Sequence, residues 1–260
     1  MFGPTERVTF IWGSAARREV LGVLAASERP RQDVVEAADA SESAVYDAMN
    51  RLKRRGYVFE REDGPWALTG TGQAFTDLLE RVQTVEGVVD TAPDYWATHD
   101  LSALPESSRR ELHKLDGSEV IHSPETDPFR ASRYVESAIE HASEVAIVSP
   151  VYDDRFASAL AASPAERPRL ILTPDVLRQT ADTPTEDRHE TDHMDIRVAD
   201  AAFAMVVTGD GTYLSLPRLD GGYDPQTELV AESSAAVEWG REVYDALWAD
   251  ATPVEELTIA

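Results

Sequence analysis

Residues 41–69 read SESAVYDAMNRLKRRGYVFEREDGPWALT. In the first half of this stretch, apolar residues recur at intervals of four and three positions, which is the spacing of one face of an α-helix. These apolar positions are Val45, Met49 and Leu52. The pattern predicts a helix that begins at Ser41, a residue suited to cap a helix N-terminus, and ends at Arg55. Gly56 is typical of the position just after a helix.

The second half of the stretch predicts a β-hairpin. Residues 57–61 and 66–69 are rich in apolar and aromatic side chains, and Asp63-Gly64 between them is a strong turn signal. Two shorter helices are expected before the quoted stretch, at 15–26 and 31–38. Three helices followed by a hairpin is the order of a winged helix-turn-helix, whose third helix enters the major groove of DNA.

The outer side of the third helix, together with the hairpin, carries the side chains that we expect to contact DNA. Asn can pair with adenine through two hydrogen bonds, and Arg can reach guanine or phosphate. The expected DNA-facing residues are Ser41, Ser43, Tyr46, Asp47, Asn50, Arg51, Arg54, Arg55 and Arg61. A solvated helix face, or a winged helix that contacts only protein, is the alternative. Glu42 and Asp47 argue against binding that depends on phosphate alone.

The charge of the chain is divided unevenly. Residues 1–75 carry 10 Lys+Arg and 11 Asp+Glu, a net charge of −1, whereas residues 76–260 carry 14 and 37, a net charge of −23. The densest basic cluster lies at 51–55, in the near-neutral segment, which favours a polyanion as partner. Only 2 of the 24 basic residues are Lys, and this acidic, Lys-poor composition predicts a halophilic source.

Composition also excludes several classes of protein. The chain has no cysteine, so it forms no disulfides, thiolate metal sites or cysteine nucleophiles. The longest apolar run, 201–207, is far shorter than the roughly 20 residues that cross a bilayer. Residues 1–20 contain charged side chains and no signal-peptide pattern. We therefore expect a cytoplasmic protein with no membrane partner.

Three segments are expected along the chain: a winged helix at 1–75, a helical connector at 76–104 and an α/β domain at 105–260. A long helix that begins after Thr69 carries an apolar stripe, and Pro93 closes the segment. The stripe consists of Ala74, Phe75, Leu78, Leu79, Val82 and Val85. We expect it to form a homodimer contact, and packing within the chain is the alternative.

The α/β domain is expected to contain a mixed, partly parallel sheet, which makes the whole chain α+β. The expected helices are 105–114, 129–142, 154–162 and a final helix capped by Ser233 or Ser234. The expected strands are 118–122, 145–149, 169–173, 195–198, 203–208 and 212–216.

Several short motifs outside the winged helix are distinctive. They are Tyr95-Trp-Ala-Thr-His-Asp-Leu101, the strand 145–149 with Pro150, Leu214-Ser-Leu216, Asp220-Gly-Gly-Tyr-Asp224 and Ala236-Val-Glu-Trp-Gly-Arg-Glu242. On these motifs the chain resembles the archaeal winged-helix regulators related to the methanogen filamentation and methanogenesis regulator, and its organisation is broadly similar to that of TrmB-like regulators. The resemblance covers almost the entire chain. It implies an archaeal transcription regulator that binds double-stranded DNA and has an α/β sensory domain.

A small-molecule effector that controls DNA binding is expected within 118–232, because ligands in open α/β sheets bind beyond the carboxyl ends of parallel strands. The candidate residues are His122, Ser149, Tyr152, Thr173, Asp175, Asp220 and Tyr223. The alternative is a purely structural domain.

Enzymatic motifs are either absent or in the wrong context. His189-Glu190-Thr-Asp-His193 matches the H-E-x-x-H pattern of zinc proteases, but its neighbours are nearly all polar and predict a solvated loop. A phospholipase-D-like nuclease would need H-x-K, and none of the 6 His residues has Lys two positions later. A metal-dependent hydrolase and such a nuclease stay as alternatives. The expectation is a protein without catalytic residues, metal or cofactor.

Overall fold

The structure, a computed structural model, describes residues 6–182 and 193–256, except for the side chains of 180–182. The chain divides into two compact units, Met1–Gln83 and Thr84–Ala260. Both units combine helices with a sheet, so the expected α+β class is confirmed. Among the described residues, no helix is both long enough and apolar enough to cross a lipid bilayer.

The first unit is a winged helix-turn-helix. Its elements are α1 (Glu6–Trp12), α2 (Ala15–Ala26), β1 (Arg29–Pro30), α3 (Arg31–Ala37), α4 (Glu42–Arg54), β2 (Val58–Glu60), β3 (Pro65–Leu68) and the first part of α5 (Gly70–Thr91). The strands form an antiparallel sheet in the order β1-β3-β2. The three expected helices and the hairpin are present, whereas α1 and the two-residue β1 were not anticipated from the sequence.

The core of this unit forms around two fully buried aromatic side chains, Tyr57 and Trp66. The expected apolar stripe of α4 is buried against them and against α2. Two glycines make the turns possible, because Gly56 after α4 has φ of 75° and Gly64 in the hairpin has φ of 104°. Residues with a Cβ are disfavoured at such angles.

The apolar stripe of α5 does not face one direction only. The helix begins as expected, because the Thr69 hydroxyl accepts a hydrogen bond from the backbone N–H of Gly72 at 3.0 Å. Phe75 packs edge-on against Tyr57, with 5.5 Å between ring centroids. Leu79 is buried, whereas Leu78 is 42% exposed. Part of the stripe therefore packs within the chain, and the homodimer contact stays a prediction.

The second unit consists of one large sheet with helices on both faces. Its elements are α6 (Pro93–Thr98), α7 (Glu106–Arg109), β4 (Glu119–His122), α8 (Arg130–His141), β5 (Val145–Ser149), α9 (Asp154–Ala162), β6 (Arg169–Leu172), α10 (Pro174–Asp182), β7 (Asp195–Val198), β8 (Ala204–Thr208), β9 (Thr212–Ser215), β10 (Thr227–Ala231), α11 (Ser234–Asp250) and β11 (Thr252–Pro253). Short 3₁₀ helices occur at Leu101–Ala103, Leu112–Leu115 and Val254–Glu256.

The sheet has eight strands in the order β11-β7-β6-β5-β8-β9-β10-β4. Strands β5, β6 and β7 are parallel and the remaining pairs are antiparallel, so the expected mixed sheet is confirmed. Side chains of β5 alternate between the two faces: Val145 and Ile147 contact the side of α8 and α9, whereas Ala146 and Val148 contact the side of α11. This burial on both faces explains the uninterrupted apolar sequence of β5.

Some expected elements differ from those observed. The helix expected at 105–114 is instead α7 followed by a 3₁₀ turn, in which Leu112 and Leu115 are both buried at the three-residue spacing of a 3₁₀ helix. Strand β10 was missed because Glu228 interrupts its apolar pattern. The final helix begins as expected, since the Ser233 hydroxyl accepts from the backbone N–H of Ala236 at 3.1 Å.

Glu228 lies in the interior beside two hydrogen-bonding groups. Its Oε2 lies 2.7 Å from the hydroxyl oxygen of Ser215, which is also 3.1 Å from the backbone carbonyl oxygen of Thr227. A hydroxyl has a single proton, so Ser215 must divide it between Glu228 and the Thr227 carbonyl and stabilises an ionised Glu228 only in part. Burial raises the pKa of Glu228 to about 8, and the Ser215 contact opposes this only in part.

The buried carboxyl predicts a specific pH dependence of stability. Between its ordinary pKa of 4.5 and about 8, the folded chain retains a proton that the unfolded chain releases. The free energy of unfolding should therefore fall as pH rises through this window, by at most about 1.4 kcal/mol per pH unit. Glu228→Gln should remove this component. The measurement is chemical unfolding between pH 5 and 9, with the exposed Glu238→Gln as control. Parallel pH profiles for wild type and Glu228→Gln would contradict the assignment.

Candidate nucleic-acid interface

Helix α4 has one buried face and one exposed face. Ala48 and the stripe Val45, Met49 and Leu52 are buried on one side. The exposed Ser43, Asp47, Asn50 and Arg54 lie within one helical face on the opposite side, because positions three and four apart are neighbours on a helix surface. The packing of α4 in its own unit therefore decides which polar side chains point outward.

The N-terminus of α4 differs from its expected form. Ser41 has the extended backbone of a cap, but its side chain makes no capping hydrogen bond. Its hydroxyl oxygen lies 3.5 Å from that of Ser43 instead. The expectation that the Ser41 side chain caps the helix is therefore wrong. The hydroxyls of Ser41 and Ser43 are exposed, and neither caps the helix.

Most of the cationic side chains on and around α4 form ion pairs with carboxylates of the same unit. The pairs are Arg51 with Asp47 at 2.7 Å, Lys53 with Glu60 at 3.0 Å, Arg55 with Glu6 at 3.1 Å, and Arg61 with Glu28, where the Nε to Oε2 distance is 2.6 Å. All eight side chains are at least partly exposed. Exposed pairs of this kind contribute little to stability, about 0–1 kcal/mol each. They nevertheless occupy the groups that could bind phosphate.

Asn50 and Arg54 differ from these neighbours. Both side chains are exposed, and neither forms a hydrogen bond or ion pair with another group in the described part of the chain. They are four positions apart on α4, so they project from the same face. An amide and a guanidinium in this arrangement can form the paired hydrogen bonds that read adenine and guanine in the major groove.

Arg31 belongs to the same surface, although no local sequence pattern indicates it. Its guanidinium lies over the ring of Tyr46, at 5.7 Å from the centroid, and over Trp66 at 4.9 Å. These cation–π contacts hold the half-buried Tyr46 beside the exposed face of α4. Glu28, the partner of Arg61, was also not expected from the sequence. The contacts of Arg31 with Tyr46 and Trp66 and that of Glu28 with Arg61 join positions that are distant in sequence, so no local pattern indicates them.

The seven residues expected to bind an effector do not lie in one place. Thr173 and Asp175, with the adjacent Pro150, line an open cavity of about 810 Å³ at the carboxyl ends of β5 and β6. The Asp175 carboxylate is paired there with Arg178. Ser149 instead donates its hydroxyl hydrogen to the backbone carbonyl of Val151 at 2.6 Å.

His122 and Asp220 line a different groove, of about 530 Å³, next to a buried His99 and Asp224. The His99 Nε2 atom lies 3.1 Å from Asp224 Oδ2, and His99 Nδ1 lies 2.8 Å from the Tyr95 carbonyl oxygen. Burial raises the pKa of Asp224, but hydrogen bonds from Gln226, Thr227 and His99 outweigh it and lower that pKa overall. The two resemblance motifs at 95–101 and 220–224 thus meet through this contact.

Tyr223 and Tyr152 lie outside the residues that line either cavity. Burial raises the pKa of the Tyr223 phenol, which also forms a hydrogen bond with Ser215. The expected effector residues are therefore divided among at least two places, and the effector assignment stays a prediction.

The residues 189–192 of the H-E-x-x-H motif lie outside the described part of the chain, and His193 is exposed. Within 6–182 and 193–256, no group of three or more His, Asp or Glu side chains is arranged to hold a metal ion.

Comparisons with known proteins match the two parts of the chain separately. Residues 128–250 match the family model of the middle domain of methanogenesis regulatory protein FilR1, and residues 5–89 match that of the HVO_A0261 N-terminal domain. Methanogenesis regulatory protein FilR1 of Methanothrix harundinacea (strain 6Ac) is 25% identical over 202 residues, which is 73% of this chain and 45% of the regulator. The chain thus spans less than half the length of this relative. The resemblance to the archaeal methanogenesis regulator is confirmed.

Similar solved structures are more distant. TrmBL2, described as an archaeal chromatin protein with a novel mode of DNA binding, has 12% sequence identity and a TM-score of 0.41, with 96% of this chain and 100% of that chain covered. The dimethyltransferase RosA from Streptomyces davawensis has 15% identity and a TM-score of 0.25, with 75% and 63% covered.

Proposed function

We propose that this chain is a DNA-binding transcription regulator whose helix α4 reads bases in the major groove of double-stranded DNA. The observation that carries the proposal is the exposed face of α4 in a winged helix, where Asn50 and Arg54 are free to contact bases. Similarity to a methanogenesis regulatory protein supports the regulatory role. The acidic, Lys-poor composition supports a halophilic source, and the proposed DNA partner agrees with a cytoplasmic location.

The proposal describes a regulator without catalytic activity. In the described part of the second unit, the buried contact between His99 and Asp224 joins the segments 95–101 and 220–224. A hydrolase that uses His189, Glu190 and His193 is the second candidate, supported only by the spacing of the motif. Stoichiometric zinc in the purified protein, lost together with a hydrolytic activity in His189→Ala, would favour that candidate.

Base reading by α4 predicts a selective loss of affinity. Arg54→Ala and Asn50→Ala should each weaken binding to a duplex selected from fragmented genomic DNA by about 1–3 kcal/mol, because each removes contacts to a base edge. Neither should change the melting temperature, since both side chains are exposed. Arg130→Ala, which makes the same charge change as Arg54→Ala at an exposed position of α8, is the matched control. Unaltered binding by both α4 variants would refute the assignment of α4.

We further propose a homodimer that uses the exposed part of the α5 stripe. Leu78 is 42% exposed, and the neighbouring Ala74 is also exposed. A two-fold contact would place two α4 helices on adjacent half-sites, and simultaneous engagement would raise affinity without any further phosphate contacts.

Leu78→Glu should yield a monomer that binds the selected duplex weakly, because a charge cannot be buried at the two-fold contact without a partner. Gln83→Glu introduces the same charge at an exposed position of α5 and should leave assembly unchanged. Sedimentation equilibrium in multimolar KCl, with and without DNA, measures the oligomeric state. A monomeric wild type under both conditions would exclude the dimer.

We propose that a small-molecule effector binds in the cavity lined by Thr173 and Asp175. It lies at the carboxyl ends of two parallel strands, the usual ligand position in such sheets. A ligand that regulates must bind the DNA-competent and incompetent states with different affinity, so it should change both stability and DNA affinity. His122, Asp220 and Tyr223 are outside this cavity and would not contact such a ligand.

Filling the cavity tests this proposal. A metabolite screen in high salt should give compounds that raise the melting temperature of wild type and alter its affinity for the selected duplex. Ala202→Trp, which places an indole at the lining, should abolish both effects while keeping the basal melting temperature. If no compound shifts the melting temperature, or if the shifts persist in Ala202→Trp, the cavity is not the effector site.

A further inference from the structure

The wing cation Arg61 is held by an acidic partner from another part of the winged helix. Its Nε and one terminal nitrogen both donate to the Glu28 carboxylate, which lies just before β1. Both side chains are 46% exposed, so the pair is in contact with solvent. Hydrogen bonding to Arg61 lowers the pKa of Glu28, and the carboxylate is therefore ionised throughout the neutral range.

Arg51 on α4 is also paired with a carboxylate, through one contact. Asp47, one helical turn earlier, lies 2.7 Å from its Nε atom. Both residues are exposed, and both lie beside Asn50 and Arg54 on the surface that would face DNA. The surface thus combines two polar side chains that have no partner among the described residues and two guanidiniums that are already bound to carboxylates.

A carboxylate and a DNA phosphate compete for the same guanidinium. Both accept paired hydrogen bonds from Arg, so an arginine bound to Glu28 or Asp47 must leave that partner before it can fully engage a phosphate. The remaining carboxylate then lies close to the DNA backbone and repels it. Since an exposed ion pair contributes at most about 1 kcal/mol, each pair should weaken phosphate binding by up to about fivefold.

Binding to DNA of arbitrary sequence depends almost entirely on phosphate neutralisation, whereas recognition of a matching sequence adds contacts to base edges. The pairing of Arg51 with Asp47 and of Arg61 with Glu28 therefore weakens binding to DNA of arbitrary sequence. It leaves the base contacts of Asn50 and Arg54 unaffected. Specificity is the difference between the two affinities, and it rises when nonspecific binding falls.

We propose that Glu28 and Asp47 are specificity-determining residues, which pair with Arg61 and Arg51 and so suppress binding to nonspecific DNA. The inference rests on the proposed DNA-binding function and assigns a role to acidic residues within the DNA-facing surface. It also accounts for the low net charge of a segment that nevertheless contains the densest basic cluster in the chain.

The test uses the full-length chain, a mixed-sequence 30-base-pair duplex and the duplex selected from genomic DNA. Binding is measured by fluorescence anisotropy between 0.1 and 0.5 M KCl for wild type, Glu28→Gln, Asp47→Asn and Glu62→Gln, with circular dichroism as a check that each variant is folded. Glu62→Gln is the matched control. It removes the same charge next to Arg61, and Glu62 forms no ion pair with any described residue.

Glu28→Gln should bind the mixed-sequence duplex up to about fivefold more tightly than Glu62→Gln at 0.1 M KCl. Its plot of log affinity against log salt should be steeper by about 0.9, the value for one additional phosphate contact. Asp47→Asn should behave similarly, and the ratio of selected to mixed-sequence affinity should fall for both variants.

Equal affinities and salt slopes for Glu28→Gln and Glu62→Gln would overturn the proposal, because the change would then reflect net charge alone. Binding of the selected duplex would still support the DNA-binding function in that case. A different outcome is that the wild type and all the variants are folded but fail to bind either duplex at 0.1 M KCl. That result would refute the DNA-binding function itself, and the role of Glu28 and Asp47 with it.

Discussion

Burial of the apolar face of α4 is the constraint on which the account of this protein depends. Tyr57 and Trp66 from the hairpin, together with side chains of α2, surround that face. Burial of each of these large side chains contributes about 1.5–3 kcal/mol to the free energy of unfolding. Rotation of α4 about its axis would expose several of them and would therefore cost much of the stability of the unit. The outward direction of Asn50 and Arg54 is therefore a consequence of core packing and not of their own contacts.

Electrostatics then determines what the exposed face can do. Four basic side chains on and around α4 are paired with nearby carboxylates, and the second unit is strongly acidic. A protein of this kind gains little from general attraction to DNA, and at high ionic strength that attraction is screened further. In the proposed function, affinity for DNA therefore comes from hydrogen bonds to bases, from apolar contacts and, in the proposed homodimer, from engagement of two half-sites. Such contacts discriminate between sequences, whereas phosphate contacts do not.

The sequence indicated most of the elements, because their signals are local. The stripe of α4, the Asp63-Gly64 turn and the apolar run of β5 each depend on neighbouring residues, and all three were found where expected. Contacts between distant residues were not accessible in this manner. The pair of Glu28 with Arg61 joins positions 33 residues apart. The division of the expected effector residues likewise arises from the strand order, which places β4 at one edge of the sheet, far from β6.

Base-by-base mapping of the recognised sequence shows whether α4 reads bases. Every base pair of the selected duplex is substituted in turn, and the affinities of wild type, Arg54→Ala and Asn50→Ala are compared. If α4 reads bases through these two side chains, each variant becomes indifferent to substitution at one or two adjacent base pairs and keeps the wild-type pattern elsewhere. A uniform loss of affinity across all positions, with the sequence preference unchanged, would contradict base reading by α4.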